Sequence, residues 1–581
     1  MRYPKEDKNY TNLDATYHTL LTVKAYNEIP IREHKFLPIV TLDGYKNVRW
    51  GATIPDKNGN FYYTSFSFVG YIFPYLFFKL FNLPITIYSL YLFNSILMMI
   101  SCLLFYYIIN YYFSQYIDKI LLFIMVFMLY VGSTEVMHSQ GVIYWHHSLF
   151  QIFLLLHIIS FININNKYFK ILFFILFFIN PYIEWTGYIS NFSFFLLYIV
   201  KFITSKEKNN RLLYIKYILV ISILTGMSFL VFSFHYLLNV NFTDYINALI
   251  SRFKARNFYD KTQLKWLFIG YYNSYKTILV IIILLFIISI IFIPNTFKYY
   301  FIKFKKYSAL LFLLFVPILE NFIMKQHAIS YTFDRLKVSL FLITILLIIV
   351  IHIYNNSKKL FFVVFNFIFI IQFFNLLLYQ NDNKYSYNID YNYNNVTISQ
   401  YINSNFKDAI VYNNINVRGY LNILFKKNIY EFGNFYEIYY NFVQNNKSNT
   451  LVYIYSKDAP WNIYKIEKSI ILKDNFVSIL YTDNYKLIEK KYNINDIIWL
   501  YNLSDKNWLK GVSKYSNKIL LFINNSDNQI LLNKNIYLEI NNNKYLIDEA
   551  NIVGSYIHVK LKENIDINSI QEFEPIIISK F

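Results

Sequence analysis

A succession of long apolar segments between residues 66 and 379 constrains the fold of this chain more than any other feature. Each segment approaches the length of about 20 residues that a helix needs to cross a membrane. An unpaired backbone group in lipid costs several kcal/mol, so every segment is predicted to be helical. Hydrophobic residues make up 56% of the chain, more than one soluble core could bury. The segments lie at 66–82, 85–112, 119–136, 142–163, 168–184, 187–203, 213–239, 277–293, 307–323, 337–353 and 359–379.

Lysine and arginine cluster in three of the short loops between these segments, and such loops normally face the cytoplasm. Successive loops lie on alternate sides of the membrane, so the loops 137–141, 184–187, 240–276 and 324–336 are expected outside, together with everything after Tyr379. We therefore expect a protein of the cytoplasmic (inner or plasma) membrane whose C-terminal domains are extracytoplasmic. The basic loops contain Lys201, Lys206, Lys208 and Arg211; Lys298, Lys303, Lys305 and Lys306; and Lys358 and Lys359.

An external first loop and an external C-terminal tail together require an even number of crossings. The sequence shows eleven segments, so one of them is predicted not to cross fully. Segment 66–82 is the candidate, because it is short, contains Lys79 and is followed at once by Asn82-Leu83-Pro84.

The chain divides into four predicted regions. Residues 1–65 form a first extracytoplasmic loop with a juxtamembrane helix, and 66–380 form the transmembrane domain. Residues 381–500 alternate helical patterns with short apolar strands, which predicts a small α/β domain. From Trp508 the pattern changes to strand-like alternation, so 501–581 are predicted to form a small all-β module. The helical patterns are Val396 to Phe406 and Tyr436 to Val443, and the strands are Ala409 to Tyr412, Leu451 to Tyr455, Ile536/Leu538/Ile540, Tyr545/Ile547 and Ile557/Val559/Leu561.

The predicted fold class is thus a polytopic α-helical membrane protein of about 11–13 helices. A C-terminal extracytoplasmic α/β domain and a small all-β module follow its membrane domain.

Ionisable residues gather at the predicted external ends of the segments. The acids Glu135, Glu184 and Glu320 all lie there, whereas the cytoplasmic ends carry almost only lysine and arginine. A charge near lipid is costly and is usually retained for function or by a partner. Polar residues also collect at helix ends because long side chains snorkel, but that effect alone would not select one side. Seven of the ten histidines share this placement: His18, His34, His138, His146, His147, His235 and His327.

Two short stretches bring candidate functional residues together. Asp14 and His18 are four residues apart in a helical pattern and share a face. In the loop 180–187, Trp185 follows Glu184, a composition common where a sugar ring stacks beside a carboxylate.

Two further runs bring histidine and acids together. Residues 133–138 lead into Tyr144, His146 and His147, and a metal site with Glu135 is one interpretation. Adjacent histidines do not share a helix face, which argues against it. Cys102 is the only cysteine, so an internal disulfide and a cysteine-type zinc site are excluded. The second run contains Glu320, His327, Asp334, Arg335 and Lys337, of which the last two could simply anchor a helix.

The external loop 240–276 contains an amphipathic helical pattern suited to a membrane surface. Arg252 and Arg256 share its polar face, with Lys254 close by. The apolar positions are Ile246, Leu249, Ile250 and Phe253.

These features together resemble the GT-C glycosyltransferases, most closely the protein mannosyltransferase and aminoarabinose transferase type. The resemblance covers roughly residues 10–380 and rests on architecture: an acidic external first loop, Tyr62-Tyr63-Thr64-Ser65-Phe66 opening the next segment, outward acids and an external C-terminal domain. Members of that family have a transmembrane helix ahead of the first loop, whereas thirteen residues precede Asp14 here.

The resemblance implies an integral membrane glycosyltransferase. It would move a sugar from a polyprenyl-phosphate-linked donor to an extracytoplasmic glycan, lipid or protein acceptor. It implies that Asp14 is the catalytic acid; Glu135 is the best match for a second one, and His18 would orient Asp14 or the substrate. Nucleic acid is not an expected partner, membrane lipid is, and no cofactor is implied, although a divalent metal stays possible. The expected substrate-binding residues are Glu184, Trp185, Arg252, Arg256, Glu320, His327, Asp334, Arg335, Lys337, Tyr144, His146 and His147.

Two other classes of protein remain as alternatives. A transporter or flippase for lipid-linked saccharides would predict acids near mid-membrane and internal repeats, and the sequence shows neither. A non-catalytic membrane sensor with an external domain would not need histidines and acids gathered on one side.

Overall fold

The computed structural model of this chain divides into two compact units, Met1–Tyr387 and Asn388–Phe581. In the first unit it describes residues 13–42, 53–257, 261–294 and 296–381. In the second it describes 389–413, 418–431, 450–455, 466, 468–474, 476–484, 486–493, 497–500, 515–522, 536–540, 543–553, 556–566 and 575–580.

Helices dominate the described part of the first unit, with one short hairpin of strands β1 (Thr53–Pro55) and β2 (Phe61–Tyr63). Single 3₁₀ turns occur at Val316–Leu319 and Thr332–Arg335. The α-helices are α1 (Leu13–Glu28), α2 (Ile31–His34), α3 (Val69–Leu80), α4 (Ile87–Phe113), α5 (Lys119–Val131), α6 (Thr134–Ser139), α7 (His146–Ile162), α8 (Lys167–Ile183), α9 (Thr186–Thr204), α10 (Lys208–Leu237), α11 (Phe242–Arg256), α12 (Lys261–Phe292), α13 (Thr296–Lys306), α14 (Ser308–Phe315), α15 (Glu320–Ile323), α16 (Lys325–Ser330), α17 (Val338–Asn356) and α18 (Lys358–Asn381).

Six helices among the described residues are long and apolar enough to cross a membrane. A seventh crossing arises if Lys298–Lys306 and Ser308–Ile323, which meet at a bend of 70°, count as one span. The chain therefore has the character of a membrane protein. The six are Ile87–Phe113, Thr186–Thr204, Lys208–Leu237, Leu264–Phe292, Val338–Asn356 and Lys358–Leu378.

The apolar segment at 66–82 forms only the 12-residue helix α3. At 1.5 Å per residue this helix is about 18 Å long, less than the roughly 30 Å of a bilayer core. A straight α3 is therefore too short to cross by itself, which fits the expectation that this segment is not a full crossing.

Helix α1 is buried on nearly every side, whereas the sequence predicts a juxtamembrane helix in an external loop. Leu20, Leu21 and Val23 are fully enclosed, and so are Thr16 and Thr19 on other faces. The threonine hydroxyls are satisfied by neighbouring backbone: Thr19 Oγ1 donates to the carbonyl of Ala15 (3.2 Å), and Thr16 Oγ1 accepts the N–H of Tyr144 (3.2 Å). These two hydrogen bonds lower the cost of burying the helix among α3, α4 and their neighbours.

A glycine allows α3 to approach α7 closely. A Cβ atom on Gly70 would lie 2.3 Å from Nδ1 of His146, a distance that no real Cβ contact shows. The hydroxyl of Tyr144 also donates to the carbonyl of Gly70 (2.6 Å). The absence of a side chain at Gly70 thus sets the spacing of the two helices.

The second unit contains a mixed six-stranded sheet and a closed six-stranded barrel. The sheet order is β4-β3-β5-β6-β7-β8, with β3 parallel to β4 and β5 and the remaining pairs antiparallel. Its elements are α19 (Ile389–Asn405), β3 (Ile410–Asn413), α20 (Arg418–Phe425), β4 (Tyr430–Glu431), β5 (Leu451–Tyr455), β6 (Lys468–Lys473), β7 (Phe476–Asp483) and β8 (Lys486–Asn493).

The barrel order is β10-β13-β12-β11-β14-β9. Strand β9 precedes the predicted domain boundary at residue 500, yet it pairs with β10 and β14 and so belongs to the barrel. The helix predicted at Tyr436 to Val443 lies outside the described residues. The barrel strands are β9 (Ile497–Leu500), β10 (Tyr515–Phe522), β11 (Ile536–Ile540), β12 (Asn543–Val553), β13 (Tyr556–Asp566) and β14 (Pro575–Lys580).

Candidate functional site

The largest group of interacting charged side chains in the described part of the chain surrounds Asp334. This residue lies in the 3₁₀ turn Thr332–Arg335, just before α17 begins. The turn packs against α6, α7, α12 and α16, whose polar ends meet here. Residues that are far apart in the sequence, and that the sequence analysis assigned to separate loops, are thereby brought together.

Asp334 is held by two imidazoles. Its Oδ1 lies 2.7 Å from Nε2 of His147, and its Oδ2 is hydrogen-bonded to Nδ1 of His327. Burial alone would raise the pKa of this carboxyl, but the imidazoles of His327 and His147 hold it well below its usual range. Asp334 is therefore an ionised carboxylate although only 1% of its surface is exposed.

Glu184 adds a second carboxylate near the same nitrogen of His147. Its Oε1 lies 3.7 Å from Nε2 of His147, and its Oε2 accepts the N–H of Thr186 (2.8 Å). Glu184 ends α8 and stands at the N-terminus of α9, where the helix dipole favours a negative charge.

Glu320 and Lys337 form a buried ion pair beside this group. The hydroxyl of Thr186 donates to Oε2 of Glu320 (3.1 Å) and lies 3.1 Å from Nζ of Lys337. The pair therefore joins α9, α15 and the start of α17. Its donors and acceptors are largely satisfied within the protein, which gives these two residues a role in holding the site together.

Arg335 turns away from Asp334 and is bound by neighbouring helices. Its Nε donates to Oγ of Ser274 (2.9 Å) and its Nη1 to the carbonyl of Ala328 (2.5 Å). Glu135 is nearby and accepts a hydrogen bond from Ser139 (2.7 Å). Burial raises the pKa of Glu135, and the Arg335 guanidinium offsets only part of that effect.

Helix α11 directs both of its arginines at an aromatic wall. The guanidinium carbon of Arg252 lies 5.2 Å from the ring centre of Tyr63, and that of Arg256 lies 5.7 Å from the ring centre of Phe66. Arg256 is also close enough to His327 to influence it: burial lowers the pKa of His327, Asp334 opposes this, and Arg256 lowers it further. Arg256 therefore borders the Asp334 group.

His18 forms the inner layer of this wall. Its ring lies 4.4 Å from the ring of Tyr63 and 5.4 Å from that of Trp145, centre to centre. Burial lowers the pKa of His18 to about 3, and the charge of Arg252 adds to the effect. His18 is consequently a neutral imidazole at physiological pH. Asp14 lies in the first turn of α1, one turn before His18, but its side chain is outside the described part of the structure.

A small pocket with an enclosed volume of about 10 Å³ and a mouth open to solvent lies next to Glu184. Trp185 forms one wall; its Nε1 donates to the carbonyl of Ser65 (2.6 Å), and its ring stacks on Tyr188 at 5.6 Å. The pocket combines aromatic walls with one carboxylate. Its lining residues are Ser65, Phe66, Ser67, Pro181, Tyr182, Ile183, Glu184, Trp185, Tyr188 and Phe232.

Two of the expected substrate-binding residues lie apart from the Asp334 group. Tyr144 bonds to Gly70, and His146 stacks on Phe66 (4.4 Å) with its Nδ1 3.3 Å from the carbonyl of Ile183. Both therefore fix helix packing. His146 and its neighbour His147 face different partners, as expected for adjacent helical residues.

The suggested metal site of Glu135, His146 and His147 is not assembled. His147 is engaged by Asp334 and His146 by aromatic rings. Within the described ranges, no three His, Cys, Asp or Glu side chains are arranged to hold a metal ion.

Sequence reasoning missed several hydroxyl groups that complete the site. Thr186 joins Glu184, Glu320 and Lys337, while Ser274 binds Arg335. A single hydroxyl residue in a mostly apolar helix gives no signal in the sequence, because its importance depends on which distant charge it meets.

No protein-family model matches this chain, and no curated protein is significantly similar to it in sequence.

Proposed function

We propose that this protein is an integral membrane glycosyltransferase of the GT-C type. It transfers a sugar from a polyprenyl-phosphate-linked donor to an extracytoplasmic glycan, lipid or protein. The observation that carries the proposal is the His327–Asp334 pair with Arg256 beside it, because this places a base next to a cation that can bind phosphate.

His327 has the features of a general base. Asp334 accepts a hydrogen bond from its Nδ1, so the neutral ring carries its proton there and presents a lone pair at Nε2. The side chain of His327 is 11% exposed, more than that of His147 at 4%, so a substrate can reach it. A histidine oriented by a carboxylate is a recurrent device for taking a hydroxyl proton.

With His327 as the base, every bond and proton of the transfer step is accounted for. The acceptor oxygen forms a bond to the anomeric carbon of the sugar, and the bond from that carbon to the phosphate oxygen breaks. The hydroxyl proton moves to Nε2 of His327, and the polyprenyl phosphate leaves with the bonding electrons.

Arg252 and Arg256 are the groups suited to the leaving phosphate. A guanidinium binds phosphate through two parallel hydrogen bonds, and here one face of each guanidinium rests on an aromatic ring. The ring contacts fix the planes of the two guanidinium groups beside the proposed phosphate position.

The mouth of the pocket beside Trp185 is the proposed place for the sugar ring, because the enclosed part has room for only about one water molecule. Aromatic walls favour the apolar face of a sugar, and the carboxylate of Glu184 can accept hydrogen bonds from its hydroxyls. Glu184 and Asp334 both contact His147, so the pocket and the proposed base are connected through one side chain.

Asp14 is the second candidate base, as the resemblance to the GT-C enzymes implies. It belongs to the same helix as His18, which packs on Tyr63 beneath Arg252. The two candidates make different predictions, because only one of them depends on Asp334.

The decisive experiment supplies the purified full-length protein with radiolabelled polyprenyl-phosphate hexoses and pentoses and a cell-envelope acceptor fraction. We expect release of polyprenyl phosphate and transfer of label. Asp14→Asn, which caps a helix nearly as well as Asp, should lower transfer a hundredfold or more if Asp14 is the base. Failure of the parental protein to release polyprenyl phosphate from every donor would overturn the proposal.

A further inference from the structure

A second polar cluster lies at the opposite end of the helical unit from Asp334. Helix α17 begins at Val338, next to Lys337 of the site. His352 lies fourteen residues further along this helix, which at 1.5 Å per residue puts it about 21 Å from Val338. Helix α12 likewise contacts the site through Ser274 and ends at Phe292, next to α13. The cluster is thus separate from the site proposed above and does not depend on that function.

Helix α13 is fixed in place by buried polar contacts. Oγ1 of Thr296 lies 3.1 Å from Nε2 of His352, and the ring of Tyr299 stacks on that imidazole at 3.9 Å. The hydroxyls of Tyr300 and Ser289 are 2.8 Å apart. The side chains on the next turn of α13 are therefore held in defined positions relative to α12 and α17.

Two lysines of that next turn converge on one phenol. Nζ of Lys303 lies 3.8 Å from the ring centre of Tyr116, and Nζ of Lys306 donates to the Tyr116 hydroxyl (3.0 Å). Hydrogen bonds from Lys303 and Lys306 lower the pKa of Tyr116 to about 8. Two ammonium groups thus share a single, normally neutral acceptor.

These ammonium groups lack a carboxylate partner within the described ranges, where no ion pair involves Lys303 or Lys306. The acid nearest to Tyr116 in the sequence, Asp118, caps α5 by accepting the N–H groups of Ile120 (2.9 Å) and Leu121 (3.0 Å). An anion would therefore find two donors that no acidic side chain already occupies.

The surroundings of the cluster are apolar and open. Ile302 on α13 is 53% exposed, and Tyr111 on α4 and Ile120 on α5, which flank the turn that contains Tyr116, are 56% and 71% exposed. Such side chains at the ends of membrane-crossing helices indicate the boundary between hydrocarbon and headgroups. A ligand that fits both features carries a phosphate and an apolar tail.

We propose that Tyr116, Lys303 and Lys306 bind the phosphate headgroup of an anionic membrane lipid. The two lysines donate to the phosphate oxygens, and the exposed apolar side chains beside them contact the acyl chains. Basic residues next to membrane helices attract anionic lipids, so a fixed pair of lysines provides selectivity over zwitterionic lipids.

The test compares lipids added to the full-length protein in detergent micelles. Phosphatidylglycerol should raise the unfolding temperature more than phosphatidylcholine does, and native mass spectrometry should detect retained phosphatidylglycerol. The double variant Lys303→Gln/Lys306→Gln should lose most of this preference. The matched control Lys298→Gln/Lys305→Gln, on the exposed face of the same helix, should keep it.

Three outcomes would overturn the proposal. The first is an equal response to both lipids by the parental protein. The second is full retention of phosphatidylglycerol by the Lys303/Lys306 variant, judged by mass spectrometry so that a change in stability cannot mislead. The third is an equal rise in unfolding temperature with millimolar inorganic phosphate, which would assign the site to a soluble anion.

Discussion

At the scale of single residues, a carboxylate as buried as Asp334 persists only when donors meet both of its oxygens. His147 and His327 supply one each. Removal of one partner from such a buried group is expected to cost several kcal/mol, because a charge remains without compensation. The arrangement thus stabilises the turn before α17 and fixes the tautomer of His327 at the same time.

The proposed base is tested by His327→Gln. Glutamine keeps a hydrogen-bonding side chain of similar size but cannot accept a proton near neutral pH, so we expect transfer to fall about 10²- to 10⁴-fold with donor affinity little changed. Turnover and donor binding are measured separately on the purified protein.

Gln326→Ala is the control, since that side chain bonds only to Ser330 on the outer surface of α16. If His327→Gln retains turnover within a few-fold of the parent while Asp14→Asn does not, the base is Asp14 and His327 only supports the site.

Buried neutral histidines predict a loss of stability in acid. The pKa of His18 is lowered from 6.5 to about 3 in the folded protein, and burial also lowers that of His138 to about 4. The unfolded chain binds these protons at a higher pH than the folded one does. Their contribution to stability is therefore complete above pH 6.5 and is lost as the pH falls towards 3.

We expect the unfolding temperature in detergent to decrease between pH 6.5 and 4. His18→Phe removes one titrating group while filling the same aromatic space, so its curve should be flatter than that of the parent. The difference between the two curves cancels the contribution of carboxyls such as Glu135. Parallel curves would show that His18 is not among the groups responsible.

The sequence identifies most residues of the site but not their partners. Glu184, His327 and Asp334 stand out because acids and histidines are rare in apolar segments. The contact of His147 with Asp334 joins parts of the chain separated by several helices, and residue spacing carries no information about it. The opposite roles of His146 and His147 likewise depend on which neighbours each helix face meets.

At the scale of secondary structure, α11 shows the reverse of the usual arrangement of an amphipathic helix. Ile250 and Phe253 are 48% and 50% exposed, whereas Arg256 is only 6% exposed and faces the protein. Burying apolar side chains inside gains little where the surroundings are themselves apolar. The sequence distinguishes the apolar face of α11 from its arginine face. It does not show which of the two packs against the rest of the protein.

The arginine face of α11 is tested by Arg256→Ala against Lys254→Ala. A charge-assisted hydrogen bond contributes about 1.5–3 kcal/mol, so loss of Arg256 should raise the dissociation constant of a polyprenyl-phosphate donor about ten- to hundredfold. Lys254 is exposed on the same helix and should have little effect. Equal donor affinity in both variants, measured by direct binding, would leave Arg256 as a packing residue.

The hydropathy pattern does not predict the short helices and turns of the fold. Helix α6 and the turn Thr332–Arg335 have six and four residues, too few to show a period, yet they carry Glu135 and Asp334. Five of the six long apolar helices lie within five residues of the predicted segments, since membrane-crossing length and composition are read directly from the chain. The sixth, Leu264–Phe292, begins 13 residues before the predicted segment 277–293, so the prediction that residues 240–276 form a loop was wrong at its C-terminal end.

At the scale of the whole molecule, the chain combines a helical membrane unit with a β-rich unit that has its own hydrogen-bonded sheets. The strands at Leu451–Tyr455 and Ile536–Ile540 occur where alternation and β-branched residues predict them. The start of the barrel at Ile497 was not predicted, because four apolar residues in a row show no alternation.

The second unit is expected to fold alone. A fragment of residues 388–581 should be soluble, unfold cooperatively and protect its strand amides from exchange, because a closed barrel has no unpaired strand edge. Circular dichroism and hydrogen exchange measure this. A fragment without cooperative unfolding would mean that the β-rich unit needs the membrane unit for its stability.

The exposed leucines of α3 form an apolar surface that is shorter than a bilayer core. Leu76 and Leu80 are 54% and 78% exposed, and the helix has only 12 residues. If α3 lies in the hydrocarbon, the bilayer beside it must thin, at a cost of fractions of a kcal/mol per Å of mismatch. We then expect the unfolding temperature of the protein to depend on the acyl-chain length of the surrounding lipid, with shorter chains stabilising it most.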